Sequence, residues 1–513
     1  MGKILSGYKK AVVDEIVAGI NNNTSFYYAF ASNPVQYPGQ VPQETNDDYS
    51  SRYQFDWNML FGKKLANTDI VYVCNNYQWT SNTVYTRYDN TSNTLANSQY
   101  YVITQPDLVG GDYIIYKCID NANGQPSTQK PDQVQAQSFQ KSDNYIWRYI
   151  GSISSANYTK FATTQFAPIY SNTTIVSGAY NYSGVEVVVI ANSGTGYNSY
   201  NDGTVQSVVN TTLIQISANA SLDNDFYKNN GVYLYNNTSA TAQLLIVDNY
   251  VSNLTGNWVK FSTPANTTNI TPGVTQYKIS PQIKFDSDGD SSPKAYSIIN
   301  TQTNAISNVV IIDTGYGITR ATAQIVSNTA YGTGANLYCI CPPPGGHGSD
   351  PANELGVNGL AISFKFTGTE SNNIPGNVPY NKIGIIRNPY SLNANNTKGS
   401  LYTSNTFSQV LKATISPSAT FTVGETVTGN TSGAKGIVCF SNSSTLYLSG
   451  DKDFVNNEYI ISANGVLQTQ ITISTLGNLY TKEINPFYVQ NTDNITRSNT
   501  QNEAFKIIIE IWG

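Results

Sequence analysis

The sequence predicts a mainly β protein: a multi-layer β-sandwich core carrying inserted small β modules and a few short helices. Three observations predict it. Charged residues are only 12% of the 513, about half the ordinary share, and Asn, Thr, Ser, 39 Gly and 38 Tyr fill the gap. A chain poor in Lys and Glu and rich in Tyr, Thr, Val and Ile favours strands over helices. Short apolar runs closed by Gly, Asn and Pro recur along the sequence, the pattern of strands and turns.

The clearest pair of runs is Tyr113-Ile-Ile-Tyr-Lys-Cys118 and Tyr145-Ile-Trp-Arg-Tyr-Ile150, joined by a polar, Pro-containing loop. Neither run keeps one face wholly apolar, which suits strands covered by protein on both faces. Upstream, Ser6 can cap a helix over about residues 7–20, whose Val12, Val13, Ile16, Val17 and Ile20 share a stripe. This stripe reads as a helix laid over a sheet rather than an assembly contact. Ser25 to Ala31 reads as a strand, 32–53 as a loop, Asp56 to Lys64 as a short second helix, and Asp69 to Cys74 as a buried strand.

Beyond residue 170 the chain repeats itself. Val185-Glu-Val-Val-Val-Ile-Ala-Asn-Ser-Gly-Thr-Gly-Tyr-Asn is echoed by Ser307 to Thr319, each a β-branched run closed by a Gly-Tyr turn. Gly231 to Asn249 is echoed by Gly424 to Asn442, each with Asn-Thr-Ser at a turn between two strands. The expected organisation is therefore a core sandwich in 1–170, inserted β modules in 171–334, the core continued in 335–413, a second inserted module in 414–476, and closing core strands in 477–513. The last run, Phe505-Lys-Ile-Ile-Ile-Glu-Ile-Trp, is expected to complete the core sheet.

Charge and cysteine usage narrow the function. The formal net charge is −5 and there is no Lys/Arg run, so nucleic-acid binding and attachment to anionic membranes are not expected. No stretch approaches the roughly twenty apolar residues of a membrane span. Five sparse cysteines, Cys74, Cys118, Cys339, Cys341 and Cys439, do not form a disulfide framework and read as small buried hydrophobes of a reducing compartment.

Two stretches invite chemistry. His347, the single histidine, follows Cys339-Ile-Cys341-Pro-Pro-Pro-Gly345-Gly346. Cys-x-Cys is not the usual zinc spacing, and the prolines set His347 apart from both thiols, so it reads as a hydrogen-bonding group that fixes a corner. Asp350 is a candidate cap for the turn that follows it. Asp286, Asp288 and Asp290 resemble the start of a calcium loop, but Ser291 and Ser297 stand where such a loop needs Gly and an acidic residue, so they are weak metal candidates. No nucleophile elbow or zinc-protease motif is present, and neither catalysis nor a cofactor is expected.

Four stretches in order, YIIYKCIDN with YIWRYIGSI, ICPPPGGHGSDPANELG, YNKIGIIRNPYSL and the C-terminal FYVQNTDNITRSNTQNEAFKIIIEIWG, resemble the gene-product-eight family of baseplate wedge subunits of contractile-tailed bacteriophages, its long cyanophage members above all. The resemblance covers about residues 1–170 and 335–410 and the C-terminal thirty or so. It implies a three-layer β-sandwich, a homodimer bound to other wedge subunits, and a place in the virion's tail baseplate after assembly in the host cytoplasm. It implies no enzymatic activity. By matching motif, Cys118, Trp147, Tyr149, Gly345, Gly346, His347, Arg387, Asn388 and Pro389 would be scaffold residues. A receptor- or glycan-binding tail protein is the alternative, since Tyr/Asn/Thr-rich modules suit saccharides. A spike that cleaves polysaccharide with paired carboxylates is the third.

Overall fold

The computed structural model describes residues 6–32, 34, 45, 48–236, 242–326, 331–393, 396–484 and 486–511. The loop expected over 32–53 lies mostly outside them, as does the Asn-Thr-Ser turn at 237–239. Strands dominate, spread over several sheets with a few short helices between them. The chain divides into two compact units, 1–73 with 358–513, and 74–357.

In the first unit a five-stranded sheet has at its centre Tyr27–Ser32, every residue of which is buried. It pairs antiparallel with Met59–Lys64 on one side and Pro379–Arg387 on the other. A second sheet orders Asn502–Glu510, Gly359–Thr367 and the start of Ile70–Asn75. Both sheets and the helix Ser6–Asn21 share one apolar core, with Val13 and Ile20 of the helix packed among Phe61, Phe366, Tyr380 and Ile507. The stripe thus lies over a sheet, as its spacing requires.

The helix expected over 56–64 is corrected. The helix is Tyr49–Trp57, capped by Asp48, whose carboxylate accepts from the Ser51 amide at 2.7 Å. Met59–Lys64 is a strand. Its Met-Leu-Phe-Gly run is wholly buried between two strands, and a Cβ at Gly62 would lie 2.4 Å from the Phe407 ring, so tertiary pairing overrides local propensity.

A closed barrel, from Leu411–Ser416 to Leu467–Thr475, completes the first unit. Numbered along the chain, its six strands succeed one another around the ring as one, four, three, two, five, six. Its stem is held by buried Gln409. That side chain accepts from the Asn478 and Leu479 amides at 2.9 and 2.7 Å and donates to the Leu479 carbonyl at 3.0 Å. Beside it the buried Lys452 ammonium donates to the Gln409 carbonyl.

Burial pulls Lys452 down to about 8. An unfolded chain keeps that proton up to the ordinary 10.5, so between the two values the unfolded state binds more protons and stability rises with pH. The rise amounts to roughly 3 kcal/mol between pH 8 and 10.5. Urea unfolding at stepped pH should show it in the native chain and not in Lys452→Met.

The second unit holds two further barrel-like groups of strands among its described residues, laddered as a four-stranded with a two-stranded sheet in one and as a seven-stranded sheet in the other. One consists of Val187–Thr195, Gln282–Ser287, Lys294–Asn300, Ala305–Asp313, Ala321–Val326 and Thr333–Ile340 around a shared core. Its ladders join strands six to one, four to three, three to two and two to five. Strand one lies along strand four, with Val185 N–H on the Thr314 carbonyl and Tyr197 N–H on that of Asn304, both at 2.8 Å. Strands five and six are successive neighbours. The succession is that of the C-terminal barrel, and the first pair of echoed runs proves to be its strands one and four, side by side.

The other barrel is inserted after that first strand and spans Asn201 to Ser280. Its opening run pairs with Gln276–Ser280 through Asn201–Thr204 and with Leu213–Ile216 through Ser207–Asn210, closing the sheet on itself. That run takes the ring position that the last strand fills in the C-terminal barrel, so the two are circular permutations of one plan. The second echo marks the hairpin they share. Leu234 pairs with Gln243 and Val427 with Gly436, the very positions the repeat equates.

Candidate functional site

Two antiparallel strands of the second unit, Tyr113–Asn121 and Tyr145–Ile153, set Tyr116 opposite Tyr149, Lys117 opposite Arg148, and Cys118 opposite Trp147. Opposed residues share a face. Tyr116, Tyr149, Cys118 and Trp147 therefore turn into an aromatic core with Tyr85 and Tyr145. Lys117 and Arg148 turn the other way, and both are buried.

Two cations side by side in a low-dielectric interior must each be neutralised. Glu354 lies 2.7 Å from the Lys117 ammonium, and Glu186 lies 3.1 Å from Arg148. Glu354 is delivered by a single helical turn, Pro351–Glu354, which Asp350 caps by accepting from the Asn353 amide. The same carboxylate accepts from the Gly348 amide at 2.6 Å and lies 2.7 Å from His347 Nδ1, which is itself 3.2 Å from the Lys117 nitrogen. The Tyr88 ring covers the ammonium at 3.4 Å and meets the imidazole edge-on. Tyr100 donates to the Glu354 carbonyl at 2.8 Å.

The Pro-Pro-Pro-Gly-Gly corner brings His347 in. Gly346 has φ of +89°, and a Cβ there would lie 2.2 Å from the Ala179 carbonyl, so only glycine fits. Cys339 and Cys341 instead line the core of the neighbouring barrel, which explains why thiols and imidazole do not converge.

Burial alone would raise the Glu354 carboxyl, but the Lys117 ammonium and the His347 hydrogen bond overcome it and hold it well below the carboxylate range. Burial also lowers Lys117, with Glu354 opposing. His347 is lowered by burial and then by the Lys117 charge, which keeps it neutral at pH 7. Lys117, His347 and Glu354 are 0, 4 and 2% exposed along the side chain. The arrangement can bind a strand, a corner and a helical turn together; it presents no face at which a substrate could meet the imidazole.

The other expected positions serve local structure. Asp288, exposed, accepts from the Thr319 and Arg320 amides, each at 2.9 Å, and Asp290 accepts from the Tyr180 hydroxyl at 2.5 Å. Asp286 is exposed on a strand opposite Thr322. Among the described residues no three of His, Cys, Asp and Glu cluster as a metal site requires. In the other unit, Asn388 exchanges hydrogen bonds with the Phe26 backbone, Arg387 donates to the Ser25 hydroxyl at 3.0 Å, and the Pro389 carbonyl accepts from the Tyr402 amide. Together they moor the start of the central strand.

Sequence reasoning did not single out Lys117, Arg148, Glu186 or Glu354. The available signal was a lone cation at the centre of each of two otherwise apolar strands. Fold and site define a β-rich, multi-sheet chain whose single histidine is locked in a buried charge cluster. No protein-family model matches the sequence, and no curated protein is significantly similar to it.

Proposed function

We propose that this chain is a structural subunit of a phage tail baseplate wedge, linking neighbouring wedge proteins and catalysing no reaction. The observation that carries the reading is the sealed His347 corner: the motif stretches that resemble the family contribute Lys117, Arg148, His347 and Glu354 to mutual support rather than to a cleft. The low charge of the chain and its Tyr- and Asn-rich composition suit large polar interfaces between subunits. The partners are a second copy and the adjoining wedge subunits, and the location is the tail baseplate of the virion.

Antibody labelling of intact virions, read by electron microscopy, tests this. Gold at the distal plate of the tail is the expected result; its absence there would end the proposal, as would turnover of a capsular polysaccharide by the purified chain. A glycan-binding tail protein is the second reading, favoured by Tyr180 and Tyr316, which lie exposed side by side with Asp290 against the first of them. A glycan array decides it, with Tyr180→Ala as the control.

A further inference from the structure

The helix Ser6–Asn21 ends on Asn21-Asn-Asn23, and its last carbonyls are taken up by backbone. The Asn22 amide bonds the Ala18 carbonyl, Asn23 that of Ile20, and Thr24 and Ser25 both that of Gly19, at 3.0 to 3.2 Å. The Asn21 and Asn23 side chains are therefore not spent as caps. With Asn67 and Asn405 they line a cavity of about 330 Å³, to which buried Ile20 and Leu65 supply the apolar part. That volume lies at the lower end of ligand sites. Asn21, Asn23, Asn67 and Asn405 are all exposed, and among the described residues none of their carboxamides has a hydrogen-bond partner in the protein.

One cation joins them. Successive residues of a strand point to opposite faces, so Lys63 and Lys64 part company. Lys63 meets Glu370 at 2.8 Å. Lys64 lines the cavity with its ammonium 4.1 Å from the Phe26 ring centroid, and among the described residues it pairs with no carboxylate. Ser25, only 5% exposed, lines the same cavity, and its oxygen accepts from Arg387 Nε at 3.2 Å and Nη2 at 3.0 Å. Both of its lone pairs are thus engaged, and the hydroxyl proton is left to donate. No acid stands among the described lining residues; Asp69 turns back to accept from the Ala66 amide at 3.0 Å.

We propose that this cavity binds a sugar acid, a ring of hydroxyls bearing one carboxylate. A carboxamide offers an acceptor and a donor side by side, which matches a hydroxyl that both donates and accepts. Carboxamides alone would suit any sugar. The unpaired ammonium and the Ser25 proton select the carboxylate, because a charge-assisted hydrogen bond is roughly twice as strong as a neutral one. The helix end opposes an anion with the equivalent of about half a negative charge. Lys64 carries a full positive one, and the helix carbonyls are already covered by backbone amides, so the ammonium prevails.

The site belongs to the first unit, whereas Tyr180 and Tyr316 belong to the second. It rests on neither functional reading, and virion labelling can fail without touching it. Saturation-transfer NMR and calorimetry on the full chain test it, with glucuronate and galacturonate as probes and glucose and galactose as their neutral counterparts. At least one uronate should bind saturably, and its neutral counterpart about tenfold more weakly or worse. Lys64→Met should weaken the uronate by a similar factor, whereas Lys63→Met, which removes the same charge from the neighbouring residue, should leave it unchanged. Asn405→Asp keeps the shape of the side chain and sets a carboxylate in the cavity, so it should abolish binding; circular dichroism checks that each variant is folded. A short oligouronate that binds more tightly than the single sugar would mark the ligand as part of a polymer, and equal affinity would mark the free sugar acid. Failure of both uronates to saturate, equal binding of the neutral sugars, or indifference to Lys64→Met would overturn the proposal.

Discussion

Replacing Glu354 by Gln should destabilise the 74–357 unit by about 3–5 kcal/mol, measured as a shift in the urea midpoint at constant slope. The cause is not the worth of a salt bridge. Lys117 is fully buried, and its ammonium has Glu354 as its anion at 2.7 Å. A neutral amide would strand that charge in the interior and leave the Gly348 amide and His347 with a poorer acceptor. The double change Lys117→Met with Glu354→Leu should recover only part of the loss: it removes the stranded charge, but it leaves the Gly348 amide and His347 without an acceptor. Acid should expose the same dependence. His347 and Glu354 are both held below their ordinary values, so the unfolded state takes up protons first as pH falls. Stability should drop through the window below about 6.5 and again below about 4.5. Thermal melts across that range check the sign; a unit that gains stability on acidification would refute the assignment.

The strands around this site were legible because their signals are local. Tyr113–Asn121 and Tyr145–Ile153 carry β-branched and aromatic runs that no helix would favour, and neither run keeps one face wholly apolar, as suits strands covered on both faces. What remained hidden was the partner of each cation. Glu354 is 237 residues from Lys117 along the chain, and nothing in a turn reading Pro-Ala-Asn-Glu announces a buried carboxylate. The mistaken helix at 56–64 has the same origin. Met59 to Gly62 has no local reason to be extended until Tyr27–Ser32 lies beside it. The repeats were visible as echoed turns, but two echoes could not reveal a ring, since one echo compared two barrels and the other compared two strands of a single barrel. Permutation hid the rest, because a strand displaced from the end of a unit to its start leaves no aligned copy.

Glu458→Ala should unfold the C-terminal barrel at a cost of about 4 kcal/mol, and the shared ring explains why. Buried Glu458 stands just before strand five and accepts from the Thr431, Ser432 and Val455 amides at 3.0, 2.9 and 2.6 Å. It thereby ties the turn between strands two and three to the lead-in of strand five. Removing it leaves three donors without the acceptor that a carboxylate only 3% exposed supplies. In the barrel that begins at Val187 the same corner is tied from the opposite side: Asp288 of the turn accepts from Thr319 and Arg320, just before strand five. The Thr319 hydroxyl and the two amides hold Asp288 down at about 2, yet it is exposed. Water can therefore replace it, and Asp288→Ala should shift the urea midpoint far less than Glu458→Ala. The two substitutions delete equivalent ties and differ in burial. Equal losses would mean that connectivity rather than desolvation sets the cost, and the account of both corners would have to be withdrawn.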